Sequence, residues 1–92
     1  MEREVLSLFA NQCDRDIERL QSAQSQTDWQ GAAHTIKGSA RAIGAWKLAR
    51  LAEEAEVLGL AQHDSRRGDA IVGIISAARE VKTFIKFLSV AK

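Results

Sequence analysis

The 92-residue chain has no proline, no tyrosine and a single cysteine, and only 5% of its residues are aromatic. Without proline, nothing forces a helix interior to kink or stop. Without a second cysteine, no intrachain disulfide or multi-cysteine metal site can form, so Cys13 is expected to be a buried thiol. No apolar run approaches the roughly 20 residues needed to span a bilayer. The opening MEREVLSLF also lacks the basic end and long apolar stretch of a secretory signal. A cytoplasmic protein that does not engage a membrane is therefore expected. The formal net charge is only +1, which gives no basic excess suited to nucleic acid. The length suits one domain over residues 1–92, with a modest core and no room for an elaborate active site.

What remains is almost uniformly helical in its apolar spacing, which predicts an all-α protein. A first helix from about Glu2 to Ser22 would place Val5, Leu8, Phe9, Cys13, Ile17 and Leu20 along one stripe, with Gln12, Asp14, Arg15 and Glu18 outside it. Thr27 followed by Gln30 has capping-box spacing, which starts a second helix just before Trp29. Gly44 has the structural task of closing it in a left-handed turn. A third helix would turn Leu48, Leu51, Ala52, Ala55 and Leu58 inward, ending at Gly59 and the polar run from Gln62 to Gly68. Ser65 or Asp69 could cap the last helix. Its stripe would comprise Ile71, Ile74, Ile75, Ala78, Val81, Phe84, Ile85 and Leu88, with the phenylalanines in the core. Four helices with short connections predict an antiparallel four-helix bundle, up-down-up-down.

His34 departs from this pattern. At about 100° per residue, Lys37, Gly38 and Arg41 fall within roughly 60° of His34, on one face of the second helix. Trp29, Ala32, Ala33, Ile36, Ala40 and Ile43 gather on the opposite side, where the core would lie. His34 should therefore face water. Gly31 and Gly38 stand three before and four after it, so neither neighbouring turn covers the imidazole. A mid-helix glycine costs about 1 kcal/mol relative to alanine, and close approach by another molecule would be a reason to have one.

Between Trp29 and Ala52 lie Lys37, Arg41, Lys47 and Arg50 with no acidic residue, followed by Glu53, Glu54 and Glu56. The near-zero total thus hides a local basic zone around the histidine. On residues alone two accounts stand: an ordinary surface histidine on a solvated basic face, or phosphate chemistry on the ring. The flanking glycines and the lysine one turn away favour the second.

The run His34, Lys37, Gly38 and Gly44 resembles the HxxKGxxxxxG signature of histidine-containing phosphotransfer (HPt) domains of bacterial multistep phosphorelays. Ala45, Leu48 and the Ala55-Glu56 pair continue the likeness, although that family usually has leucine where Ala55 stands, which could loosen packing there. The resemblance implies phosphorylation of His34 on Nε2, stabilisation of the phosphoryl charge by Lys37, and orientation of the imidazole by Glu56 from the third helix. It also implies a partner-binding surface of Gln30, Gly31, Lys37, Gly38, Arg41, Ala42 and Ala45. The implied partners are response-regulator receiver domains and a hybrid histidine kinase, with the domain itself a monomer.

The chain shows no nucleotide-binding glycine loop, no second histidine in a plausible relay and no carboxylate cluster facing His34 to hold magnesium. A phosphocarrier without kinase activity or cofactor of its own is implied, with the receiver supplying the catalytic groups and the magnesium ion. Two alternatives remain: an interaction module that binds a receiver or enzyme without carrying phosphate, and the phosphoacceptor domain of a chemotaxis-type histidine kinase. A metal enzyme of the bundle type would need Glu-x-x-His pairs, and neither histidine has a glutamate three residues before it. His63 reads as a solvated loop residue. Trp46 is expected to fold back over the bundle end; if exposed, it would extend an apolar docking rim with Ala42 and Ala45.

Overall fold

The structure, a computed structural model, describes the backbone of residues 3–58 and 64–90 and the side chains of residues 7–58 and 66–87. His63 and Gly59, and the side chains of Val5 and Leu88, lie outside the described residues. Four helices form: α1 (Arg3–Ser22), α2 (Gln26–Ala42), α3 (Trp46–Leu58) and α4 (Asp64–Val90), with no strand among the described residues. Most packing is between adjacent helices, α1 and α3 both touching α2 and α4; among the described residues no close backbone contact crosses either diagonal, although the Arg67 side chain of α4 reaches the Trp29 ring of α2. The result is an all-α, four-cornered helical bundle around a single buried cluster. Among the described residues, no helix is long and apolar enough to cross a membrane.

The α2–α3 corner is built from small residues. Ala32, Ala33 and Ala40 of α2 and Ala49, Ala52 and Ala55 of α3 are all buried. Side-chain size at the contact sets how closely two helix axes approach, so alanine on both faces brings these backbones together. Trp29, Ile36 and Leu48 supply the bulk. Ala55 is fully buried, and it also lines an open groove with Leu51, Leu58, Ala70 and Gly73 between α3 and α4. Cys13 is buried as expected, and burial pushes its thiol up to about 11, which keeps it protonated and unreactive at neutral pH.

Both ends of α2 are fixed by local chemistry. Its N-cap is Ser25, whose hydroxyl accepts the Asp28 N–H at 3.1 Å, and not the Thr27–Gln30 pair that the capping-box spacing suggested. Ser25 offers the same geometry two residues earlier, and Asp28 then complements the positive end of the helix dipole. At the other end Gly44 adopts φ +77°. The Gly44 N–H reaches the Arg41 carbonyl at 3.1 Å and the Ala45 N–H reaches Ala40 at 2.8 Å, the paired bonds of a Schellman ending.

Several expectations are corrected. Leu8 is exposed because it sits roughly 140° round α1 from Cys13, whereas Phe9, Ile17 and Leu20 lie within about 40° and are buried. The same count puts Asp16 in the stripe, and it is fully buried, with Oδ1 accepting from Gln12 at 3.0 Å. Neither Ser65 nor Asp69 caps α4, because that helix starts at Asp64 and runs through Gly68. Arg67 ties this first stretch down, donating to the Gln21 and Ala23 carbonyls at 3.3 Å each, with its guanidinium 5.6 Å over the Trp29 ring. That tertiary anchoring outweighs glycine's poor propensity. Phe84 and Phe87 are exposed rather than core. A groove lined by Ile43, Gly44, Ala45, Val81 and Phe84 sets the α2–α3 turn level with this part of α4, which continues to Val90 with fewer helices beside it. Trp46 is 66% exposed at the start of α3 instead of folded over the bundle end.

Gly44→Ala places a Cβ on a left-handed residue and is expected to cost about 1–2 kcal/mol. Thermal denaturation should show a fall of several degrees in Tm.

Candidate functional site

His34 lies on the outer face of α2 with its side chain 68% exposed. Its Nδ1 is 3.2 Å from Oε2 of Glu56, which projects from the last turn of α3. The other oxygen of that carboxylate, Oε1, is 2.8 Å from the Lys37 ammonium, one turn along α2 from His34. One carboxylate thus holds both His34 and Lys37 of the neighbouring helix. The Lys37 side chain is only 16% exposed and Glu56 27%, so this contact is better shielded than an ordinary surface pair.

The protonation pattern follows from the donor inventory. The Lys37 hydrogen bond, with further help from His34, holds the Glu56 carboxyl below its ordinary value, so it is ionised at neutral pH. An ionised carboxylate only accepts hydrogen bonds. The ring nitrogen facing it must therefore carry the proton, and Nδ1–H donates to Glu56. In the neutral imidazole this leaves the Nε2 lone pair free on a ring open to solvent. Such a nitrogen is a nucleophile held in a fixed tautomer and orientation.

The surroundings leave that nitrogen accessible. A Cβ added at Gly38 would meet nothing within 4 Å, so the chain itself does not require glycine there. A Cβ at Gly31 would lie 3.8 Å from the Arg19 guanidinium, an ordinary contact. Gly38, Arg41 and Ala42 are exposed around the histidine, while Gly31 and Ala45 are half-buried. Gln30 is committed inward, its amide donating to the Glu56 carbonyl at 3.4 Å. The basic zone is more nearly balanced than its sequence count, since Lys37 pairs with Glu56, Arg41 with Glu53 at 3.3 Å and Lys47 with Glu80 at 3.2 Å. Among the described residues, no group of three His, Cys, Asp or Glu could hold a metal ion.

Residues 4–81 match the family model described as the Hpt domain. The chain belongs to the Hpt domain family. No curated protein and no solved structure matches it. Hpt domains carry phosphoryl groups on histidine in two-component phosphorelays, acting as phosphocarriers rather than enzymes and interacting with receiver domains and kinases. This Hpt domain therefore has a histidine phosphotransfer role in two-component signalling.

Sequence reasoning about the site missed two features. The Lys37–Glu56 pair was hidden because the basic residues and the acids that follow them looked like separate blocks along the chain. Arg19 flanks the α2 turn at Gly31, and no local pattern links α1 to that turn.

Because Glu56 titrates below its ordinary range in the folded state, its contribution to stability is complete above the unfolded carboxylate pKa. That contribution is lost only as pH falls through the lower folded value. Carbon-13 NMR of the Glu56 carboxyl should show a midpoint below that of a model glutamate, and Lys37→Met should move it back up.

Proposed function

We propose that His34 is the phosphorylated residue and that Nε2 is the atom that accepts the phosphoryl group. The observation behind this is the Glu56 carboxylate on Nδ1, which leaves Nε2 as the unprotonated and open nitrogen. An aspartyl phosphate on a receiver domain is the donor. The Nε2 lone pair attacks phosphorus as the bond from phosphorus to the aspartate oxygen breaks, and the aspartate leaves as a carboxylate. The ring then carries a positive charge on an imidazolium bearing phosphate, and Glu56 beside Nδ1–H offsets it. Attack by an aspartate of a second receiver reverses the bond changes and returns the neutral ring.

Lys37 has three ammonium donors and uses one on Glu56, so it can keep that bond while turning another toward a phosphoryl oxygen on His34. The receiver brings the magnesium ion and the remaining charged groups, and this domain contributes no cofactor and no autonomous kinase activity. Gly38, Arg41, Ala42 and Ala45, with Gly31 and Lys37, form the docking surface, extended by the exposed Trp46. The exposed Arg41–Glu53 pair separates at little cost, which frees the guanidinium for an acidic partner.

The domain is further proposed to act as a cytoplasmic monomer that meets receiver domains and a hybrid histidine kinase. Its helices would run up-down-up-down. Arg67 reaching Gln21 and Ala23 while Lys82 pairs with Asp14 supports opposite directions for α1 and α4.

Incubation with phosphorylated receiver domains should move label onto the wild-type protein and none onto His34→Gln. Label on His34→Gln, or none on the wild type with any receiver of its source, would refute the proposal. Gly38→Ala separates stability from docking. Its Cβ meets nothing in the domain, so it should raise stability by about 1 kcal/mol while slowing transfer. Parallel melting curves and transfer time courses read the two effects.

A further inference from the structure

The geometry points to Trp29 and Gln30 as positioning residues that hold Glu56 against His34, an inference that rests on the phosphotransfer proposal above. Ala55 and Glu56 lie in the last turn of α3, where helix carbonyls leave the intrahelical ladder and need other donors. Consecutive residues of α2 supply them. The Trp29 indole N–H donates to the Ala55 carbonyl at 2.7 Å, and the Gln30 amide donates to the Glu56 carbonyl at 3.4 Å. The first bond is short and fully buried, and the second is longer and partly exposed.

These bonds bear directly on the site. The terminal turns of helices fray readily, and Glu56 sits on one. Its carboxylate must stay within hydrogen-bond reach of two atoms on α2, Nδ1 of His34 and Nζ of Lys37. Trp29 and Gln30 stand on that same helix, five and four residues before His34, so clamp and nucleophile move as one rigid element. Trp29 is in turn covered by Arg67 of α4, so a third helix backs the clamp. Side-chain capping from α2 therefore fixes the α3 backbone at the residue whose side chain sets the imidazole tautomer.

The test uses Trp29→Phe, which keeps an aromatic ring without the donor, and Gln30→Met, which keeps the length of the chain at a half-buried position. Ile85→Ala, in the core away from the site, controls for general destabilisation. Nitrogen-15 NMR of the His34 ring reads the tautomer in the unphosphorylated domain, without a partner. In Trp29→Phe the Nδ1–H population should fall toward that of Glu56→Ala, with a smaller fall in Gln30→Met and none in Ile85→Ala. The rate of phosphoryl transfer at saturating receiver should drop by on the order of tenfold in Trp29→Phe. If Trp29→Phe does not fold, the ring spectrum of Gln30→Met decides alone. An unchanged tautomer in the folded variants, or an equal change in Ile85→Ala, overturns the clamp. A wild-type domain that accepts no phosphoryl group would instead refute the phosphotransfer proposal, and the ring spectrum distinguishes the two failures.

Discussion

The Glu56 carboxylate is shared between two donors on the facing helix, His34 through Nδ1 and Lys37 through Nζ. Three properties of the site follow from it. The lysine keeps the carboxylate ionised, the ionised carboxylate decides which imidazole nitrogen carries the proton, and the ring is held with its other nitrogen outward. The arrangement needs α2 and α3 to approach closely and in fixed register. Alanine on both faces of their contact permits the approach, and the Trp29 and Gln30 bonds to the end of α3 fix the register. The Schellman ending at Gly44 sets the short turn between the two helices.

Much of this was legible in the sequence because it is local and periodic. The outward direction of His34, the inward stripe of α2 and the closing task of Gly44 follow from the helical count and from glycine's freedom at positive φ. The proximity of Glu56 was legible only through the resemblance, since no local rule relates residues 22 apart. The misplaced features have particular causes. Hydrophobicity draws Leu8 into the stripe although its angle lies outside it, and polarity disguises Asp16 although its angle lies inside. Phe84 and Phe87 depend on how far α2 and α3 extend beside α4, which no spacing within α4 records. The start of α4 depends on Arg67 meeting carbonyls at the end of α1 and a tryptophan of α2.

Under the proposed function, the site is half of a reaction centre. It offers a nucleophilic nitrogen, a fixed tautomer and a cation close by, with open space at Gly38 where a catalytic partner can approach. Stability and the proposed docking role diverge at that glycine, since the helix gains nothing from it. They coincide at Trp29, which is fully buried in the core and donates a hydrogen bond beside the residue that orients the histidine.

The central claim is that the carboxylate on Nδ1 makes Nε2 the reacting atom. Phosphorus–nitrogen couplings measured by NMR on nitrogen-15-labelled domain, phosphorylated by a receiver, would test it most directly. The account predicts phosphorus bonded to Nε2 of His34, with Nδ1 still protonated and hydrogen-bonded. Phosphorus on Nδ1, or on any residue other than His34, would contradict it.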